Sequence, residues 1–304
     1  PLVGFLRNAR IGSELKIDAL KTLGNLASNN KNIIAISKGG CIPPLIALLK
    51  ENNLEVKNIS LSVLHVLASN ARNGIEIAKK GGIPPLIELL REGDVKSKLL
   101  AAMVLQLLAK NDMSSDAIVK AGGISPLVAL LKEGDDDCKT IVADALHILG
   151  VSSIHANAIV NEGAVDPLLE MLRDSPDRGK SNAARALGNI FTFTSTTLSN
   201  TGCIALLIAI INDGVEECVE YALATLMMLS LCEENQVEIV REGGLVPLLA
   251  LLHNAKEHRR KHAAATLHNI SMHKSSLLRH AWLPLFEDAH KREKGLDAKE
   301  YLKK

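Results

Sequence analysis

A leucine recurs through this chain at a spacing that leaves little choice of architecture. Leu23, Leu64, Leu105, Leu146, Leu187, Leu226 and Leu267 follow one another at steps of 41, 41, 41, 41, 39 and 41 residues. A second mark keeps the same beat: Pro44, Pro85, Pro126, Pro167 and Pro247, with Leu206 standing at the one skipped place. Self-similarity at a fixed period of this size belongs to arrays in which each unit buries its apolar face only against its neighbours. The 304 residues therefore read as one array of about seven copies, not as the pair of globular domains that length alone suggests.

Within a unit the local signals are those of helices. Residues 74–80 read as a short helix closed by Gly81-Gly82, glycine being the residue that most readily takes the left-handed conformation ending a helix. Pro84-Pro85 open a second, apolar helix, Leu86-Ile87-Glu88-Leu89-Leu90, because proline in a first turn lacks only an N–H that would be unpaired anyway. The polar turn Arg91-Glu92-Gly93-Asp94 leads into a longer third helix over 95–110, with Asp94 as its expected N-cap. One unit is short helix, helix, long helix.

Composition narrows the function. Apolar residues make up 47% and charged residues 23%, a folded rather than a disordered mixture. The aromatic residues are few (Phe5, Phe191, Phe193, Phe286, Tyr221, Tyr301 and Trp282), which disfavours the base-stacking platforms of RNA and single-strand binders. Lys plus Arg number 35 against 34 acids, so the chain is no general polyanion binder. The five cysteines (Cys41, Cys138, Cys203, Cys218, Cys232) are odd in number and form no Cys-x-x-Cys. We read them as reduced thiols of an intracellular protein, cytoplasmic or nuclear, with no disulfide framework and no metal bound by them. No apolar run reaches the roughly 18 residues of a membrane span, and no signal peptide leads the chain. The opening Pro1-Leu2-Val3 falls midway through a unit, as expected of a processed product or a piece of a longer protein.

The strings GGIPPLIELL, GGISPLVALL and GGLVPLLALL, each followed by a long helix ending like LGNLA, LGNIF or LHNIS, closely resemble armadillo repeats. The resemblance covers residues 1–280 and implies an all-α fold, a right-handed α-solenoid superhelix of about seven three-helix repeats at a period of 41 residues. HEAT repeats are the second choice of fold; they lack the Gly-Gly-x-x-Pro punctuation. The remaining residues, 281–304, read as a shortened repeat (Ala281–Phe286) and a polar cap, Lys291–Lys304, with nine charged residues in fourteen. From Asn254 onward there are twelve basic and six acidic residues, a basic surface for an acidic protein or, less readily without interleaved aromatics, for nucleic acid.

No catalytic constellation is present in the pattern. The recurring glycine pairs lack the Gly-Lys-Ser/Thr of a phosphate loop, and His258 and His262 stand one turn apart without the Glu of a zinc-binding His-Glu-x-x-His. We therefore expect no enzyme, no cofactor and no small-molecule substrate. An array instead presents an extended surface for partners. Taking Leu23 as the centre of the buried stripe, steps of 100° per residue place Asp18, Lys21 and Asn25 opposite it. Carried through the period, that exposed ridge reads Ile59, Ser62, Val66; Leu100, Met103, Leu107; Ile141, Asp144, Ile148; Asn182, Arg185, Asn189; Tyr221, Ala224, Met228; and His262, Ala265, Asn269. The candidate partner-binding residues drawn from it are Lys21, Asn25, Val66, Met103, Leu107, Asp144, Ile148, Arg185, Asn189, Tyr221, Met228, His262 and Asn269.

Armadillo nuclear-import adaptors, by the same resemblance, carry a Trp on the third helix and an Asn four residues on, which hold a basic peptide. Here the Asn recurs at Asn25, Asn189 and Asn269, while the Trp position holds Lys21, Ser62, Met103, Asp144, Arg185, Ala224 and Ala265. The middle of the ridge is apolar, which either marks a partner site or is core between tightly stacked third helices. Near the starts of the third helices the charge alternates: Asp135–Asp137, then Arg178, Lys180 and Arg185, then Glu216, Glu217 and Glu220, then Lys256 and Arg259–Lys261. Such bands either pair between repeats or orient a mixed-charge segment. The first reading is a non-enzymatic scaffold, monomeric or weakly self-associating, that binds an extended or helical segment of another protein in a groove of third helices. The alternatives are the substrate-recognition module of a larger ubiquitin-ligase-type protein, as armadillo arrays fused to a U-box suggest, and basic-peptide capture of the import-adaptor kind.

Overall fold

The computed structural model describes residues 2–8, 11–194, 202–214 and 216–272; the expected terminal cap and shortened repeat lie outside them. Among the described residues there are nineteen α-helices and no strand. The chain forms two compact units, Pro1–Ala186 and Leu187–Lys304.

In the first unit α1 (Leu2–Arg7) and α2 (Ser13–Ala27) lead into three sets of three: α3 (Asn30–Lys38), α4 (Ile42–Leu48), α5 (Leu54–Ala68); α6 (Ala71–Lys79), α7 (Ile83–Glu92), α8 (Val95–Ala109); α9 (Asp112–Lys120), α10 (Ile124–Glu133), α11 (Asp136–Leu149). A further set follows, α12 (Ser153–Asn161), α13 (Val165–Asp174) and α14 (Asp177–Phe193), whose third helix continues into the second unit. The second unit then holds α15 (Cys203–Asp213), α16 (Glu216–Leu229), α17 (Glu233–Arg241), α18 (Leu245–Asn254) and α19 (Glu257–Ser271).

Each boundary has a local cause. Asp94 accepts a hydrogen bond from the Ser97 amide at 3.0 Å and starts α8 as expected. Asn53 and Asp135 do the same for α5 and α11, through the amides of Val56 (3.0 Å) and Cys138 (2.9 Å). Asp94→Ala leaves that amide without its cap and costs about 1 kcal/mol, which urea unfolding of the single variant measures.

The short first helix begins earlier than the sequence suggested. α6 starts at Ala71 rather than at Gly74, because the Asn70 side chain accepts from the amides of Arg72 (3.1 Å) and Asn73 (3.4 Å). The turn before it is fastened in turn: Asn73 Nδ2 donates to the Leu67 carbonyl at 3.2 Å, beside the Asn70 amide that donates to the same oxygen. His155 takes that place against Leu149 O (3.1 Å), with its Nε2 3.1 Å from Asp116 Oδ1, and Asn235 Nδ2 donates to Leu229 O at 3.2 Å.

The first helix ends on a residue with positive φ, +80° at Gly81 and +73° at Gly122. This conformation recurs at Gly40, Gly163, Gly202 and Gly243, with the same single 39-residue step as the leucines. Gly163 and Gly202 escape a search for glycine pairs because Ala164 and Cys203 follow them. Gly122→Ala forces a Cβ into the left-handed region and destabilises by about 1–2 kcal/mol, measurable as a lowered urea midpoint.

The core is the inner face of the third helices. Leu20, Leu64, Leu105 and Leu146 are between 0% and 1% exposed. In the first unit α2 packs on α5, α5 on α8 and α8 on α11, while α4, α7 and α10 lie against α5, α8 and α11 from the other side. In the second unit α15 and α18 cover α16 and α19, which pack on each other. Within each unit the third helices thus form a layer with one face covered by second helices.

The candidate partner-binding face

The uncovered face of that layer is the ridge, and its side chains are neither core nor free. Ile59, Ser62 and Val66 on α5, Leu100, Met103 and Leu107 on α8, and Ile141, Asp144 and Ile148 on α11 are all half-buried. The cause is spacing. Packed helices run about 8–10 Å apart, so a side chain pointing away from the core still leans on its neighbour's flank while its tip stays in solvent. The result is a half-buried, largely apolar row on three adjacent helices, interrupted by Ser62 and Asp144.

At the start of the array the candidates are more open. Lys21 and Asn25 are exposed on α2, and Lys21 Nζ donates to Glu55 Oε1 at 3.2 Å. Farther along, polar groups replace the apolar strip and bond across helices. Arg185 Nη1 donates to Asp144 Oδ1 at 3.0 Å, and Gln106 Nε2 donates to the other oxygen of the same carboxylate. Asn182, expected on the exposed ridge, is only 8% exposed; its Nδ2 donates to Thr140 O at 3.0 Å, which draws it against α11. His147 Nδ1 lies 3.2 Å from Arg185 O. The structure therefore brings two candidates, Asp144 and Arg185, into one network. It also recruits Asn182 from the ridge, together with Gln106, His147 and Thr140, which sequence reasoning left out. A signal for Gln106 and His147 existed: both directly follow an anchor leucine, the flank that faces the next third helix.

In the second unit Asn189, Tyr221, Met228, His262 and Asn269 are half-buried on α14, α16 and α19. Asn269 Nδ2 donates to Ser230 Oγ at 2.9 Å. The charge band there pairs between helices: Glu216 meets Lys256 and Arg259, and Glu220 Oε2 lies 3.2 Å from His258 Nε2. Lys256 first, then Arg259, holds the Glu216 carboxyl below its usual value. A separate hollow of about 670 Å³ opens between α7–α8 and α10–α11, floored by Leu90, Pro126 and Leu130. Lys98 and Glu133 on its rim give it no single charge to select by.

Two histidines sit on the strip's flank. Burial lowers the pKa of His65, and burial followed by the Arg185 guanidinium lowers that of His147. The native state thus prefers both neutral while the unfolded chain protonates near the ordinary value of 6.5. Their stabilising share is present above that value and is lost as pH falls below it. Thermal melts at about pH 7.5 and about pH 5.5 show a lower midpoint at the acid pH, and His65→Gln/His147→Gln reduces the difference.

The period, the three-helix unit and the one-sided layer define an α-solenoid repeat protein. Residues 111–149, 154–192 and 232–272 match the Armadillo/beta-catenin-like repeat; these three stretches are armadillo repeats, and the solenoid is of the armadillo kind. Solved structures agree. An engineered protein from the Northeast Structural Genomics Consortium is 28% identical with a TM-score of 0.86, over 93% of this chain and 70% of its own. A designed armadillo repeat protein shares the fold at 20% identity and a TM-score of 0.61, over 88% of this chain and 98% of its own. Another, solved in complex with a (KR)4 peptide, shares it at 22% identity and a TM-score of 0.59, again over 88% and 98%. No curated protein sequence matches this chain. Among the described residues no single helix is long and apolar enough to cross a membrane.

Proposed function

We propose that the chain is a non-enzymatic scaffold that binds a segment of another protein along the uncovered face of its third helices. The observation that carries this reading is the half-buried apolar strip of Ile59, Val66, Leu100, Met103, Leu107, Ile141 and Ile148. Half-buried apolar side chains on three successive helices are costly to leave in water and support a partner site there. Two neighbouring features support it. The Asp144–Arg185 pair supplies an orienting polar edge, and a designed protein of the same fold was solved holding a peptide. That peptide is basic; this strip offers no tryptophan and no carboxylate row for one, so the partner contact here is apolar first. Lys21, Asn25, Asn189, Tyr221, Met228, His262 and Asn269 serve as polar and peripheral contacts on the same face of their own helices.

Affinity capture from cell extract, with the native chain and with Leu107→Glu/Ile148→Glu side by side, tests the reading. Specific partners bound by the first and lost by a folded second support it. Full retention by the folded variant rejects it.

A further inference from the structure

Seven residues before each of the first five anchor leucines stands a lysine: Lys16, Lys57, Lys98, Lys139 and Lys180. Acids keep the same beat at the ends of the second helices: Glu51, Glu92, Glu133 and Asp174. Seven residues return a helix to within about 20° of the same direction, so these lysines lie on the side of the anchor leucines and away from the ridge.

At the start of the array the two rows meet. α4 ends at Leu48, the Glu51 amide turns back to Leu48 O at 3.2 Å, and Lys16 Nζ lies 2.5 Å from Glu51 Oε1. α7 and α10 instead run on as helices through Glu92 and Glu133. Lys57 and Lys98 are half-buried, Glu92 and Glu133 are exposed, and none of the four has an ion-pair partner among the described residues. Lys98 of α8 and Glu133 of α10 both line the hollow of about 670 Å³ over Leu90, Pro126 and Leu130. Its other charged groups are engaged: Arg91 Nη2 donates to Gly122 O at 3.3 Å, and Asp135 Oδ1 accepts from the Cys138 amide at 2.9 Å. What remains is one ammonium, one carboxylate and an apolar floor, a volume and lining of the kind that ligand clefts have.

These groups are complementary to one kind of occupant. A simple anion drawn to Lys98 is repelled by Glu133, and a simple cation the reverse, so only an occupant carrying both signs gains at both. In a free amino acid the two charges sit at one carbon. In a chain they stand on separate side chains, with room for an apolar one between.

We propose that this hollow is a second docking site, taking a short segment of a partner protein in which an acidic and a basic side chain flank an apolar one. The acid meets Lys98, the base meets Glu133, and the apolar side chain rests on Leu90, Pro126 and Leu130. The charge pair selects the segment, since such pairs discriminate more than they add affinity. The site lies on the other side of α8 from Leu100, Met103 and Leu107, and does not depend on the groove reading above.

The probes are four end-capped peptides, Gly-Glu-Leu-Lys-Gly and its Glu-Leu-Glu, Lys-Leu-Lys and Gln-Leu-Gln counterparts, titrated into the full chain carrying labelled leucine and valine methyls. The mixed-charge peptide is expected to shift the Leu90, Val95 and Leu130 methyl signals and to bind about fivefold more tightly than the others, the scale of about 1 kcal/mol for an exposed charge pair. Lys98→Glu should transfer the preference to Lys-Leu-Lys, and Glu133→Lys to Glu-Leu-Glu. Ala129→Trp, at an exposed residue lining the hollow, should abolish the shifts with the circular dichroism unchanged. Leu107→Glu/Ile148→Glu should leave them as they are; their loss in that variant places the peptide in the groove and overturns the second site. Equal binding of all four peptides, or a preference unmoved by both charge reversals, overturns the selection by charge. Methyl shifts that follow protein concentration without peptide make a second copy the occupant and overturn the proposal, as does the absence of any shift at millimolar peptide.

Discussion

Leu107→Glu/Ile148→Glu is expected to weaken partner capture by about a thousandfold, the scale of two interface anchors worth about 2 kcal/mol each, while helix content by circular dichroism is unchanged. The expectation follows from where the two side chains stand. Leu107 and Ile148 are corresponding residues of α8 and α11, both half-buried, so their tips reach solvent and a glutamate at either place can turn its carboxylate outward. In the complex those tips are covered, and a carboxylate buried against apolar partner atoms without a counter-charge is strongly unfavourable. Isothermal titration with a captured partner segment gives the number. A loss of helix content would mean instead that the strip belongs to the core.

The second large effect is on stability. Leu105→Ala removes a side chain that is 1% exposed at the centre of α8, where α7 and the neighbouring third helices α5 and α11 converge. It should cost about 2–5 kcal/mol, against a few tenths for Met113→Ala on the surface, where Met113 is 73% exposed. Because each unit is held by its neighbours, the loss spreads: hydrogen exchange should quicken in α5 and α11 as well as in α8. Urea unfolding followed by circular dichroism, with exchange measured on the same sample, checks both parts.

Much of the architecture is legible in the residues because its causes are local and repeated. The anchor leucines recur in every unit, the prolines opening second helices in all but the one where Leu206 stands, and an Asn or Asp cap starts α5, α8 and α11; the helices follow them. The misplacements have equally local causes. Periodicity alone starts the short helix at residue 74, whereas the Asn70 side chain caps α6 one turn earlier. The turns at Gly163 and Gly202 have positive φ without a glycine neighbour to advertise them.

The candidate face was legible only in outline. Helical periodicity gives the direction in which Met103 or Ile148 points but not how far the next third helix stands from it, and that distance decides half-burial. Asn182 shows the limit most plainly: its angle on α14 is that of an exposed residue, yet its hydrogen bond to Thr140 O buries it. In the sequence Asp144 and Arg185 are only ridge residues 41 apart; that they are partners, joined by Gln106, depends on the packing of α8, α11 and α14. Pairing of this kind also answers part of the charge pattern, since Glu216 and Lys256 meet directly while Lys96 and Asp137 face solvent.

Methionine oxidation is the most direct measurement of the central claim, because the chain carries its own probe and control. Met103 lies half-buried on the strip, and Met113 is 73% exposed on α9, away from it. Peroxide footprinting followed by mass spectrometry, with and without a captured partner, should show Met103 protected on binding and Met113 oxidised at its free rate. Protection of Met113 with Met103 unchanged would place the partner elsewhere and contradict binding on the third-helix face.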